Sequence, residues 1–359
     1  MPYIIDFLPV GTKASSGDAI ALCYGSQADG FTTHIVDGGY ADTAPGLIAQ
    51  VHAYGTDRVD HVVLTHADGD HAAGLVEVLE TLDVKTLWMN RPWLYADEII
   101  HHFHGNWTVE GLVRHLRDKY PTLVKLEDIA NRRHIPILEA FQGAQVGAFT
   151  VLAPSRSRYL TLLPDFDKTP ERKDTADNPI GLAAYALESM TTVAKALARW
   201  VVESWHGETL SDTPDRTSAS NESSVVQMAT IDGQQLVLTG DVGPDGLNEA
   251  ADFVERHSVQ LQPRFIQVPH HGSRRNVTPA TLNRWLGPVK PWGQAPMGFA
   301  FCSAARLDGS HPKKKVTNAF TRRGYEVHVT RGRSIYFQNG MGRNGDSLTP
   351  EPFSNEVEE

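Results

Sequence analysis

Val62-Val63-Leu64-Thr65-His66-Ala67-Asp68-Gly69-Asp70-His71 is the stretch on which the fold turns. An apolar, strand-like run leads directly into four residues of metal-ligand type, His66, Asp68, Asp70 and His71, within six positions. Imidazole and carboxylate side chains bind divalent cations, and the small Ala67 and Gly69 between them allow one tight loop to aim every donor at a common point. Two further segments repeat the pattern of a strand that ends in ligands. Leu236-Val237-Leu238-Thr239-Gly240-Asp241 delivers a carboxylate able to bridge two cations, and Arg264-Phe265-Ile266-Gln267-Val268-Pro269-His270-His271-Gly272-Ser273 delivers two imidazoles.

Around these segments short apolar strands alternate with amphipathic helices. Strands are expected at Tyr3–Val10, Ala19–Tyr24, Thr33–Val36, Asp60–Leu64, Lys85–Met89, Ala148–Leu152, Ser224–Ile231, Gln235–Leu238, Arg264–Val268, Phe299–Cys302, Tyr325–Val329 and Ser334–Phe337. Helices are expected at Pro45–Tyr54, Ala72–Leu82, Val109–Lys119, Ile180–Ser204, Leu247–His257, Pro279–Leu286 and Lys313–Arg323, with a polar loop at Pro164–Pro179. Strands and helices mixed on this scale give an α/β (α+β) protein with a sheet core covered by helices. One large domain over residues 1–343 is expected, followed by an acidic, disordered tail at 344–359 rich in Pro, Ser and Asn.

Hydrophobic residues make up 41% and charged residues 21% of the 359 residues, which excludes a fibrous or wholly disordered chain. The two cysteines, Cys23 and Cys302, form no CxxC pair, so a metal site must be built from His and Asp. No stretch approaches the ~18 apolar residues of a membrane span, and a soluble cytoplasmic protein without a membrane partner is expected. The net charge of -10 speaks against a polyanionic partner, but its distribution is uneven. From Arg264 to Arg343 there are 14 Lys/Arg against Asp308 and Glu326 alone, a local excess of 14 − 2 = 12. Either this is a groove for phosphates, or it is a solvated basic face paired with acidic segments elsewhere. The His101-His102-His104 cluster has no acidic partner at ligand spacing and reads as a surface cluster.

Taken with Val36-Asp37-Gly38-Gly39, Gly74-Leu75, Asn221-Glu222-Ser223-Ser224-Val225-Val226, Ser310-His311-Pro312 and Thr330-Arg331-Gly332, these segments resemble the metallo-β-lactamase superfamily. The narrower likeness is to its ComEC-like metallohydrolase branch, with the HxHxDH motif in the variant form HxDxDH. The likeness spans roughly Pro2 to Phe337, and the stretch at about 91–212 looks like a divergent insertion and a candidate protein-binding surface. The resemblance implies an αββα sandwich with a metal centre at one edge. His66 and Asp68 would hold one cation, Asp70 and His71 the other, Asp241 would bridge them, and His270 or His271 would complete the second site. Asp37 would support the loop. Asp68 stands where relatives carry a His, so the first site is richer in oxygen, and zinc preference there should yield toward Mn²⁺ or Mg²⁺.

The implied activity is that of a metal-dependent hydrolase, with Zn²⁺ or Mn²⁺ as one or two cations and Mg²⁺ as a further candidate. A bound cation lowers the pKa of its water toward ~7, which serves a phosphodiesterase or nuclease. Asp70 would orient that water, with His270 and His311 as donors to the substrate or leaving group. Ser273, Arg274, Arg275, Lys313, Lys314 and Lys315 are the candidate phosphate contacts, with nucleic acid among the candidate substrates. The same centre also serves a hydrolase of carboxylic esters, lactones or thioesters, and a third reading is a non-catalytic binding or assembly module.

Overall fold

The computed structural model describes residues 1–11, 14–173, 200–343 and 348–359. Among the described residues fourteen strands form two seven-stranded sheets. The first contains β1 (Tyr3–Phe7), β2 (Ala19–Ser26), β3 (Gly30–Gly38), β5 (His61–Val63), β7 (Leu87–Trp88), β8 (Ile137–Leu138) and β17 (Ile335–Asn339), in the order β17-β1-β2-β3-β5-β7-β8. The second contains β9 (Gln145–Val146), β10 (Phe149–Ala153), β12 (Val226–Ile231), β13 (Gln234–Leu238), β14 (Phe265–Gln267), β15 (Gly298–Cys302) and β16 (Tyr325–Val329), in the order β16-β15-β14-β13-β12-β10-β9. Two short pairs stand apart, β4 (Arg58–Val59) with β6 (Asp83–Val84), and β11 (Trp200–Val202) with β18 (Glu356–Glu358).

The period of two along each strand explains how the sheets stack. Tyr3, Ile5 and Phe7 of β1, Ile20 and Leu22 of β2, Leu236 and Leu238 of β13, and Phe265 and Phe301 share one buried cluster between the sheets. Their neighbours point the other way. Ala21, Ile35 and Val62 join a cluster under the helices of the first sheet, and Val237, Ile266 and Ala300 join one under the helices of the second. Strands buried on both faces have to be apolar almost throughout, which is why Val62-Val63-Leu64 shows no alternation with polar residues. The layers therefore run helix, sheet, sheet, helix, as expected from the sequence.

Several sequence-based expectations need correction. The helix expected over Ala72–Leu82 is divided into Gly69–Ala72 and Leu75–Thr81. The division follows from Gly74, where a Cβ would lie 2.0 Å from the Gly38 carbonyl oxygen, so the ligand loop is held against the end of β3 by backbone contact. Of the helix expected over Ile180–Ser204, residues 180–199 lie outside the described residues, and Trp200–Val202 is a strand. The expected insertion is not wholly peripheral, since β8 adds an edge to the first sheet and β9 and β10 an edge to the second. β10 matches the strand expected at Ala148–Leu152, whereas β8 and β9, of two residues each, are too short to carry a period.

The tail expected to be disordered is docked where it is described. β18 pairs with β11 in antiparallel register, Val357 is fully buried, and the Phe353 ring lies 5.3 Å from Trp205 and 5.9 Å from Trp292. Two apolar anchors in an acidic segment suffice, because the surface beneath them is aromatic and basic. No described helix is long and apolar enough to cross a membrane.

Candidate metal centre

The donors converge at one edge of the sandwich, where strands of both sheets end. His66, Asp68, Asp70 and His71 follow β5, Asp241 follows β13, and His270 and His271 follow β14. Asp241 is the hub. Its Oδ2 lies 2.7 Å from His270 Nδ1, 3.4 Å from His71 Nε2, 3.8 Å from His271 Nε2 and 3.9 Å from His66 Nε2. Asp70 Oδ2 lies 3.7 Å from His71 Nε2 and 3.8 Å from His271 Nε2, and Asp68 Oδ2 lies 3.5 Å from His66 Nε2.

These groups are oriented from outside the cluster. Asp37, at the end of β3, accepts from the Thr65 backbone N–H at 2.8 Å and the Thr65 hydroxyl at 2.7 Å, and lies 2.7 Å from His71 Nδ1. Its carboxylate is thus engaged with the loop, and it turns the far nitrogen of His71 toward Asp241, the arrangement that fixes ligand histidines in metal sites. The Ser220 hydroxyl donates to Asp68 at 3.2 Å, and Ser224 Oγ accepts from the Asp241 backbone N–H at 3.2 Å. Asn221 Nδ2 lies 2.9 Å from His270 Nδ1. The short helix Ala219–Glu222 thereby presents Ser220 and Asn221 to the cluster.

The donor set fits a divalent cation. His66 Nε2, His71 Nε2, His271 Nε2, Asp241 Oδ1 and Asp18 Oδ1 are all buried and make no hydrogen bond, a concentration of unpaired polar atoms that is costly unless they serve a ligand. Asp18, His71, Asp241 and His271 each bring one ligand atom within 4.8 Å of the others. Charge complementarity runs in the same direction. Burial raises the Asp68 carboxyl, but the adjacent His66 imidazole, with His71 and Lys168, outweighs it and holds Asp68 at about 2. Burial also disfavours charge on His271, yet the neighbouring carboxylates of Asp241, Asp70 and Asp18 push it up to about 9. Asp241 falls well below the usual carboxylate range, because His270, His71 and His271 overcome its burial.

The two adjacent histidines, equivalent in sequence, differ in surroundings. His271 is buried, with Nε2 facing both Asp70 and Asp241, whereas His270 is partly exposed and sits between Asp241 and Asn221. Both have left-handed backbones, at φ 45° and 55°, a conformation that non-glycine residues hold when the surroundings impose it. Gly272 follows at φ +81°, and a Cβ there would lie 2.4 Å from Pro312 Cβ, so the His311-Pro312 loop closes over the histidines. The His311 ring centroid is 6.3 Å from that of His270, and its Nδ1 lies 3.2 Å from Asp308 Oδ2.

Many of the basic residues between Arg264 and Arg343 are engaged within the protein. Arg284 pairs with Asp252 and Glu255, Arg322 with Glu203, Arg323 with Glu208, Arg331 with Glu351 and Arg343 with Asp6. Arg274 donates to the Glu359 carbonyl, the Lys314 backbone N–H donates to Glu358 at 2.9 Å, and the Lys314 ammonium lies 4.7 Å from the centre of the Trp200 ring. Lys315 is buried among Arg274, Glu203, Glu358 and Glu359. Ser273 is buried, and its hydroxyl accepts from the Arg275 backbone at 3.3 Å. Much of the local positive excess is therefore satisfied internally. The His101-His102-His104 group lies on a surface turn, with the first two rings 4.0 Å apart.

Two site residues were not foreseen. Asp18 is 1% exposed, just before β2, and Gln267 is the last residue of β14. In the sequence Gly17-Asp18 reads as an ordinary turn before an apolar strand and Gln267 as a polar interruption of one, so neither is marked as a site residue.

Residues 28–137 match the family model of the Metallo-beta-lactamase superfamily. No curated protein matches the chain. Among solved structures, the metallo-beta-lactamase SMB-1 bound to 2-mercaptoethanesulfonate is 11% identical, with 79% of this chain and 86% of that one covered at a TM-score of 0.32. A Cronobacter sakazakii metallo-beta-lactamase with the HARLDQ motif is 12% identical, with 73% and 76% covered at a TM-score of 0.31. The two stacked sheets, their outer helices and the family match over residues 28–137 identify the fold as the αββα sandwich of the metallo-β-lactamase type.

Proposed function

We propose that the protein is a metal-dependent hydrolase of phosphodiesters, and that its substrate is compact rather than an extended polynucleotide. The observation that carries the proposal is the convergence of Asp68, Asp70, Asp241, His66, His71 and His271 with unpaired ring nitrogens and a shared central carboxylate. Divalent cations bound there would polarise a phosphoryl oxygen and supply a water nucleophile at neutral pH. Three carboxylates beside three imidazoles favour hard cations, Mn²⁺ or Mg²⁺ as well as Zn²⁺, and such cations pair readily with phosphate oxygen. The ComEC-like motifs support the same chemistry.

The chain's own groups have separable roles in this reading. Asp241 and Asp70 hold negative charge against the histidines, Asp37 sets the ring of His71, and Asn221 holds His270 on the open side of the cluster. His270 and His311 are the groups placed to donate a hydrogen bond to a substrate oxygen or leaving group. The compact substrate follows from the internal pairing of the basic residues. The test is hydrolysis of bis-p-nitrophenyl phosphate, p-nitrophenyl acetate and labelled single-stranded DNA with Zn²⁺, Mn²⁺ or Mg²⁺, by the wild type and by Asp241→Asn. Metal-dependent turnover of the small phosphodiester, lost by at least 100-fold in Asp241→Asn, is expected. Turnover of the acetate alone would favour the carboxylic-ester reading instead.

A further inference from the structure

The donor set expected from sequence leaves out Asp18, although this side chain is among the most buried carboxylates of the site. Its position is defined by two hydrogen bonds and by the cluster it adjoins. The Asp18 backbone N–H donates to the Asp70 carbonyl at 3.3 Å, which ties it to the ligand loop. Its Oδ2 accepts from Gln267 Nε2 at 3.1 Å. Its Oδ1 is buried and makes no hydrogen bond, and one of its carboxylate oxygens lies within 4.8 Å of donor atoms of His71, Asp241 and His271.

The Gln267 amide can be oriented without ambiguity. Its Oε1 accepts from the Thr239 backbone N–H at 2.9 Å and the Gly240 backbone N–H at 3.1 Å, two contacts that only the oxygen end can make. Nε2 must then face Asp18 and donate to it. One oxygen of the carboxylate is thereby held, and the other is left for the cluster. Asp18 adjoins β2 of the first sheet and Gln267 closes β14 of the second, while Thr239 and Gly240 lead into Asp241. A single amide thus sets the distance between two carboxylates that begin on different sheets.

We infer that Asp18 is a direct ligand of the cation held by His71, Asp241 and His271, and that Gln267 is the positioning residue that presents it. The inference rests on the metal-centre reading given above. With Asp18 included, the second site has two carboxylates and two imidazoles in addition to Asp70. A buried carboxylate with one oxygen held by Gln267, and with an oxygen within 4.8 Å of three metal-ligand donors, has this role as its chemical explanation.

Asp18→Asn is the informative variant, because it keeps the volume and the acceptor for Gln267 and removes only the anionic ligand. Binding of Co²⁺ and Mn²⁺ is measured by calorimetry, the visible spectrum of the Co²⁺ form is recorded, and thermal unfolding is followed in chelator. The expected result is a loss of 10-fold or more in affinity for one equivalent of metal, as for other groups that hold metal ligands. A changed Co²⁺ spectrum and unchanged metal-free unfolding should accompany it. Equal affinity and an identical spectrum in Asp18→Asn would overturn the inference while leaving the hydrolase reading intact. An affinity loss matched by an equal drop in metal-free stability would overturn it too, by assigning Asp18 a structural role. A wild type that binds no divalent cation would remove both.

Discussion

The C-terminal strand gives a quantitative test of what the basic region is for. Glu358 and Glu359 lie against Arg274 and Lys315, beside the loop that carries His270 and His271. While these contacts persist, those two cations are not available to release counterions from a polyanion, so nucleic-acid binding by the wild type should depend weakly on salt. Ending the chain after Asn355 frees both. Each cation that neutralises a phosphate of duplex DNA contributes roughly 0.9 to the slope of log affinity against log salt, so the slope should steepen by about 1.8. Between 50 and 200 mM salt that is an additional loss of about 12-fold in affinity. Fluorescence anisotropy of a labelled duplex across this range measures it. Glu358→Gln/Glu359→Gln serves as the variant that keeps the strand, and thermal unfolding registers the loss of the buried Val357, about 2 kcal/mol. A steep slope already in the wild type would refute the argument by showing the cations to be open, and an unchanged slope after truncation would show that they face away from any bound phosphate.

The oxygen-rich first site predicts that activity with Mn²⁺ equals or exceeds that with Zn²⁺, and that Asp68→His shifts the preference toward Zn²⁺; strict zinc dependence of the wild type in a metal-reconstituted assay would contradict this. His34 offers a prediction on stability. It is fully buried, with both ring nitrogens unpaired and its ring 5.4 Å from Phe149, so burial and the neighbouring His61 hold its pKa well below 6.5. The unfolded chain takes up this proton near pH 6.5 and the folded chain does not, so stability is complete above 6.5 and declines as pH falls toward the folded value. From pH 7.5 to 5.0, 1.5 units lie below 6.5, a loss of about 2 kcal/mol at about 1.36 kcal/mol per unit. Denaturant unfolding in chelator should show that loss in the wild type but not in His34→Leu, and parallel pH profiles would count against it.

What was legible in the sequence is what is local. His66 to His71 are neighbours in the chain, and Asp241 and the His270-His271 pair each follow their own apolar strand, so periodicity and ligand type suffice to mark them. Asp18 and Gln267 acquire meaning only across the two sheets. Before folding, Gly17-Asp18 is indistinguishable from an ordinary turn, and Gln267 from a polar interruption of a strand. The charge count left two readings open for the same reason. Arg343 meets Asp6, Arg322 meets Glu203 and Arg323 meets Glu208, pairs formed between distant parts of the chain, so a windowed sum reports an excess that the fold neutralises in part. In the tail, composition outweighed Phe353 and Val357, whose partners Trp205 and β11 lie about 150 residues earlier.

The long-range contacts also explain why the donors can be held without disulfides or a long ligand-bearing loop. Asp18, Asp37 and the His66–His71 run belong to the first sheet, and Asp241, His270, His271 and His311 to the second. Between the two, the Gln267 amide reaches Asp18, the Val225 backbone N–H reaches the Thr65 carbonyl at 3.0 Å, and the Ser16 hydroxyl donates to Asp308, which in turn holds His311. Each of these joins the sheets at the edge where the donors meet. Edge-to-face packing of Phe7 against Phe265 and Phe301 inside the sandwich therefore sets the separation of the carboxylates outside it. The position of the metal centre is a consequence of the apolar core, and the hydrogen bonds at the edge refine a distance that the core has already imposed.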